Sequence, residues 1–326
     1  MLNNIFQQIR IFTKSKFLRD VVAVATGIAA AQIIAMIFMP FLTRLYGPEA
    51  FGTVAAFTAI INIITPLATL GYSNAIVMPE KEEDASAIIR LCLNCALVSI
   101  PVTLVFIFFL KEKLISLTVF EANPNLLYLI PISLFLGALV SIADQTAIRE
   151  GVFKLKASTY VASTLLMNIG RLIGGFLMPL GVILIVLYAI GDLINFLLLL
   201  AKSPKKGVFK FRQWFGFSGI FKAASQQKDF ALYRMPQSIL NATTIGLPVL
   251  LLTTFFSVAV AGQYSLAAAA LAAPLMLLGQ SVGEVFYPKI TRAINADPDP
   301  ALQLLLKGTI ALSLVAVIPF GFVFFW

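Results

Sequence analysis

Apolar residues in this chain come in long unbroken runs without period-two alternation, the pattern of membrane-spanning helices and not of strands or a barrel. Nine runs reach the ~20 residues needed to cross a bilayer: roughly 21–43, 50–71, 91–110, 126–148, 158–178, 180–200, 230–255, 260–286 and 303–325. The first is too long for the core of a cleaved signal and reads as an uncleaved first span. Two mixed segments, 5–19 and 208–224, read as helices lying in the membrane surface. The first sets Ile5, Ile9 and Phe12 at helical spacing beside Arg10 and Lys14; the second interleaves Phe211, Trp214, Phe215 and Phe221 with Lys210, Arg212 and Lys222.

Composition agrees with the pattern. The 326 residues are 60% hydrophobic and 12% charged, with a mean hydropathy of +0.94, whereas a soluble chain carries about twice that charged fraction. Soluble globular enzymes and disordered proteins are both excluded. The net charge of +9 is unevenly placed: eighteen of the 24 basic residues fall on the side of the N-terminal tail and three, Arg44, Lys111 and Lys113, on the other. This bias predicts a cytoplasmic N-terminus. The excess charge therefore reads as topology and contact with anionic membrane lipids, not as nucleic-acid binding.

Several chemistries are missing. The chain has no histidine, hence no Ser-His-Asp triad and no H-E-x-x-H zinc site. It has no P-loop, so uphill transport would draw on a coupling ion, H+ or Na+, or on an external partner. Cys92 and Cys95 form a C-x-x-C inside an apolar run and read as packing residues. No cofactor or metal is expected.

The chain also matches itself. Residues 66–73 and 274–281 agree at five of eight positions at an offset of 208, which also aligns Pro40 with Pro248 and Leu42 with Leu250. The offset places span seven on span one and span eight on span two, running in the same direction, as in a parallel repeat of six-helix units. The expected organisation is a six-helix lobe over 1–227 and the first three helices of a second lobe over 228–326, a chain about three helices short.

The stretches Leu42-Thr-Arg-Leu-Tyr-Gly-Pro-Glu-Ala-Phe-Gly-Thr53 and Pro66-Leu-Ala-Thr-Leu-Gly-Tyr-Ser-Asn-Ala75 resemble Wzx-type oligosaccharide flippases. So do the loop Glu80–Asp84, Tyr233-Arg-Met-Pro236, Ala261-Gly-Gln-Tyr264 and Val285-Phe-Tyr-Pro288. These flippases belong to the multidrug/oligosaccharidyl-lipid/polysaccharide (MOP) exporter superfamily. The resemblance implies an all-α polytopic protein of two helical lobes in a bacterial inner membrane. It implies translocation of an undecaprenyl-diphosphate-linked oligosaccharide, an O-antigen or a capsule or exopolysaccharide repeat unit, from inner to outer leaflet by alternating access. It implies no covalent catalysis.

Polar groups within spans mark candidate sites. Span two carries Thr58, Asn62, Thr65, Thr69 and Ser73 on one helical face, and span seven carries Arg234, Gln237, Ser238, Asn241 and Thr244 on another. Span eight adds Gln280 and Glu284, and span one Gln32. These faces either line a hydrated cavity, with those of spans two and seven opposed across it, or bond helix to helix. Arg234, just before Pro236, either grips a diphosphate or snorkels to the interface. Arg171 and Asp192 lie at similar depth on spans five and six, expected as an ion pair with either a structural or an ion-coupling role. Asp144, Arg149 and Glu150 cluster at the inner end of span four, suited with Glu284 to salt bridging or gating. Arg44 and Glu49 flank the first outer turn.

Three rivals remain on sequence alone. A MATE-like cation-coupled antiporter of drugs or small solutes predicts an acidic, aromatic cavity, whereas the clearest polar face carries Arg234. A glycan-assembly enzyme usually needs a large outer loop or a catalytic histidine. A non-transporting fragment is the third.

Overall fold

The computed structural model describes residues 16–116, 120–121, 123–201 and 214–272, with side chains of the first helix from Thr26 onward. The surface helix expected before residue 16, residues 208–213, span nine and the part of span eight holding Gln280 and Glu284 lie outside the described residues. The chain forms two compact units, Met1–Ala267 and Ala268–Trp326. The elements below belong to the first, apart from the end of the last helix.

Every regular element among the described residues is helical, as an all-α membrane protein requires. A single helical run, Lys16–Ala68, breaks only at Gly47, where φ is 70° and ψ 171°. We call its halves α1 (16–46) and α2 (48–68). Proline disfavours helical geometry in the residue before it, and only glycine adopts this φ/ψ region readily. Pro48 then opens α2, a position that needs no N–H donor. Nothing lies within 4 Å of where a Cβ on Gly47 would sit, so Gly47→Ala isolates the backbone term. It should destabilise the protein by roughly 1–3 kcal/mol, read as a lowered midpoint in thermal unfolding of the detergent-solubilised protein.

The chain continues through α3 (Glu82–Ser116), α4 (Leu129–Arg149), α5 (Phe153–Leu177), α6 (Gly181–Ala201), α7 (Met235–Phe255) and α8 (Val258–Ala272). The α1–α2 run and each helix from α3 to α7 are long and apolar enough to cross a membrane; the protein is multi-pass. Tight connections at Gly47, at Met178–Leu180 and at Phe256–Ser257 define one end of the bundle, the turn end. The opposite end, the basic rim, holds residues 72–82, 149–153 and 214–229.

Two segments differ from the sequence expectation. Helix α3 starts at Glu82, not near 91, and its first turn holds Glu82, Glu83 and Asp84. Acidic groups there are favoured by the helix dipole, and a hydropathy pattern registers only the apolar part of a helix. Of the expected surface helix over 208–224, residues 208–213 lie outside the described residues, Trp214 is helical, 215–219 form an irregular strap and Ile220–Gln226 is a seven-residue helix. Trp214 is 2% exposed and packs on Phe196, while Phe221 is 90% exposed. Trp214 anchors the segment inward, while Phe215, Phe217 and Phe221 are exposed.

The core is layered along the bundle. Near the rim, Tyr72, Ile76, Ile88, Cys92, Ile142, Phe196 and Leu199 pack together. Nearer the turn end lie Phe57, Ile61, Ile107, Leu127, Leu134 and Ile185. Between them Ala68, Ala96 and Ala138 bring α2, α3 and α4 close, the small-residue packing typical of membrane helices. Phe108, Phe109, Phe176 and Leu177 are among the large apolar side chains facing outward, as lipid contact demands.

Candidate functional site in the helix bundle

Helices α2 and α7 lie side by side along much of their length, but not through their polar faces. A Cβ on Gly246 of α7 would stand 3.2 Å from that of Ala59, and Ala56, Val249 and Ala261 form a buried cluster. The expectation that the polar faces of spans two and seven oppose each other is therefore overturned. Small apolar residues let these backbones approach, and the Thr58–Thr69 face of α2 lies roughly a third of a turn away from that contact.

The polar residues of α2 divide by environment. Thr58 donates to the Val54 carbonyl at 2.8 Å and Thr65 to that of Ile61 at 2.6 Å. Thr69 and Ser73 are buried and bond each other at 3.4 Å. Asn62 is exposed, and Gln32 on α1 is half-buried. On α7, Arg234, Gln237, Asn241 and Thr244 are all exposed and Ser238 is half-buried. Arg234 donates from Nη1 to Gln237 Oε1 at 3.4 Å. The turn before α7, Phe230–Arg234, is widened to a π-helix. There Gly71 (φ +73°) at the end of α2 comes so close that a Cβ would lie 2.8 Å from the Phe230 carbonyl oxygen.

The charged groups depart from expectation in two places. Arg171 and Asp192 form no ion pair. Equal depth fixes height along neighbouring helices but not the direction each side chain leaves its axis. Arg171 lies beside α1, where Tyr46 donates to its backbone carbonyl at 2.7 Å, and its Nε is buried without a partner. Asp192 instead stands at α4 and α2: a Cβ on Gly137 would be 4.0 Å from Asp192 Oδ2 and 3.7 Å from Thr65 Cγ2.

At the rim the expected Asp144–Arg149–Glu150 cluster is also dispersed. Asp144 pairs with Lys156 of α5 at 3.3 Å. Arg149 turns to the 76–81 loop and donates to the carbonyls of Ile76 (3.3 Å), Pro79, Glu80 (3.3 Å) and Lys81 (3.4 Å). One guanidinium thus satisfies carbonyls that a non-repetitive loop leaves unpaired. Glu80 and Asp84 line a cleft of about 960 Å3 facing Ser218 and Lys222, and a Lys222–Asp84 contact of 3.7 Å reaches across it. Arg44 and Glu49 are both exposed at the turn end, and no ion pair joins them.

Three features escaped the sequence. Asn94 and Arg90 of α3 donate to the carbonyls of Gly216 (3.2 Å) and Ser218 (3.0 Å), strapping the 214–219 segment to the bundle. At the turn end, a Cβ on Gly52 of α2 would overlap the Val258 carbonyl, and one on Gly262 of α8 the Pro48 carbonyl. The third is the meeting of Thr65, Gly137 and Asp192. Of these, the strap left no signal, whereas Gly52, Gly262 and Gly137 are each a glycine inside an apolar helix.

A protein family described as "polysaccharide biosynthesis protein" matches residues 41–326. The chain is similar to the succinoglycan biosynthesis transport protein ExoT of Rhizobium meliloti (strain 1021), 23% identical over 289 residues, which cover 87% of this chain and 55% of that protein. It thus spans little more than half the length of that relative. No solved structure matches it.

Proposed function

The chain belongs to the polysaccharide biosynthesis protein family, and on that premise we propose that it flips an undecaprenyl-diphosphate-linked oligosaccharide between leaflets of a bacterial inner membrane. The family membership supports the resemblance to Wzx-type flippases carried by the sequence motifs. The observation that carries the reading to residues is the exposed row Arg234, Gln237, Asn241 and Thr244 on α7. A guanidinium at one end suits a diphosphate, which it can grip through two parallel N–H donors. Amide side chains one and two turns on suit sugar hydroxyls, being donors and acceptors at once. Gln32 on α1 and Asn62 on α2 are further polar candidates, Asn62 on a face that does not meet α7; Gln280 lies outside the described residues. Thr58 and Thr65 contribute less, since their hydroxyl hydrogens already serve their own helix.

In this reading the basic rim faces the cytoplasm, as the positive-inside bias asks, and Arg234 meets the headgroup where it enters. The close crossing of α2 and α8 at Gly52 and Gly262 closes the turn end in this conformation. The anionic lipids of the inner leaflet would meet the basic residues of the rim.

The test is genetic and biochemical together. A strain without the protein should lose surface polysaccharide and accumulate its lipid-linked precursor on the cytoplasmic leaflet, and the restored protein should reverse both. Normal surface polysaccharide in the deletion strain would overturn the reading.

A further inference from the structure

The two halves of α3 are held differently. Toward the rim, Ala85, Ile88, Cys92, Leu93 and Ala96 are buried. From Leu97 to Lys113 only Ile107 is buried, at 2% exposed. Pro101 lies near the start of this outer half, and a proline within a helix removes a hydrogen bond and disfavours a straight axis. Beside the bare half lies a groove of about 520 Å3, lined by Leu104, Val105, Phe108, Phe109, Lys111 and Tyr128. That volume falls within the ~300–1,000 Å3 of ligand sites.

The groove is graded by depth. Leu104, Phe108 and Lys111 share one face of the helix, at steps of about one turn. The apolar run of this span ends at Leu110. Lys111 therefore stands at headgroup level in the leaflet of the turn end, and Leu104 and Phe108 stand among acyl chains. Tyr128, just before α4, is at the same level: Lys111 Nζ lies 5.8 Å from the centroid of its ring, within cation–π range. Among the described residues no carboxylate pairs with Lys111, and the Tyr128 hydroxyl has no hydrogen-bond partner. Glu112 and Lys113 leave the helix on other sides, at ~100° per residue. A basic residue at this end also runs against the topological bias.

We propose that this groove binds one anionic phospholipid of the leaflet at the turn end, an acyl chain lying along Leu104 and Phe108 and the phosphate meeting Lys111 and the Tyr128 hydroxyl. Charge complementarity carries the choice of lipid. An ammonium without a protein counter-ion, held over a ring whose hydroxyl can donate, suits a phosphate oxygen. A zwitterionic headgroup would bring its own cation to a ring face that Lys111 already covers. The bound lipid would fill the side of α3 that Ile107 alone ties to the core, and its binding is independent of the cargo.

Phe108→Trp sets a reporter in the groove at a side chain that is 79% exposed. The full chain is placed in liposomes, and the signal of Trp214 and Trp326 is subtracted with the parent protein. Phosphatidylglycerol brominated on its acyl chains should quench the reporter with about fivefold preference over equally brominated phosphatidylcholine, the effect of one lysine beside an anionic lipid. Lys111→Gln should bring the ratio near one, and Lys111→Arg should keep it. Ile173→Trp, exposed on α5, should show no preference in the same membranes. A ratio near one at Phe108→Trp, a ratio that survives Lys111→Gln, or an equal preference at Ile173→Trp would each overturn the proposal. Relief of quenching by trace undecaprenyl phosphate would overturn it too, since the occupant would then be a polyprenyl carrier.

Discussion

Replacing Gly262 with leucine should hold the turn end open. In the described conformation even a methyl there would overlap the Pro48 carbonyl, and its Cβ would lie 2.8 Å from the Gly52 nitrogen. Backbone cannot rotate out of the way as a side chain can, so the helices must separate. Overpacking of this kind costs about 1–3 kcal/mol, enough to lower the closed population roughly 5- to 150-fold. Gly52→Leu should act alike against Val258. The measurement is accessibility: a cysteine at exposed Asn241 should react with a membrane-impermeant maleimide from outside the cell far faster in the Gly262→Leu background than in its parent. Cys92 is buried, and the half-buried Cys95 is first replaced by serine in both backgrounds. Equal rates would remove the turn end from any gating role.

Arg234→Ala should lose export while leaving the protein inserted and abundant. The side chain is exposed and its one recorded polar contact is Gln237 at 3.4 Å, so folding has little stake in it. A charge-assisted bond to phosphate is worth about 1.5–3 kcal/mol, a loss of roughly 10- to 150-fold in binding. Arg234→Lys should recover part, because a point charge replaces a planar fork. The readout is surface polysaccharide at matched membrane abundance. Wild-type export from the alanine variant would place headgroup binding elsewhere.

The spans were legible because hydrocarbon imposes one rule on every residue in it. Length and apolarity therefore located the helices from span one to span seven, and the gap flanked by Arg44 and Glu49 placed the first turn. What hydropathy missed lies beyond the hydrocarbon, such as the acidic start of α3 at Glu82–Asp84 and the strap anchored by Trp214. A second kind of miss concerns direction. Residue spacing gives the height of Arg171 and Asp192, but the sides of α5 and α6 on which they emerge depend on how those helices rotate against α1, α2 and α4. The threonine face of α2 misled for the same reason: a polar face can turn inward and bond its own carbonyls while alanines make the interhelical contact. Thr65, Gly137 and Asp192 are far apart in sequence, and only tertiary packing brings them to one corner.

The strap on the 214–219 segment has a mechanical consequence. With Trp214 seated in the core and the Gly216 and Ser218 carbonyls tied to α3, this length of chain moves with the first bundle. Any tilt of α7 is then concentrated in the few residues from Gln227 to Arg234, where the π-helical turn sits against Gly71. A tether without slack converts tilt into twist. Arg234, at the end of that turn, would be reoriented as α7 tilts, so the residue proposed to meet the cargo sits on the hinge itself.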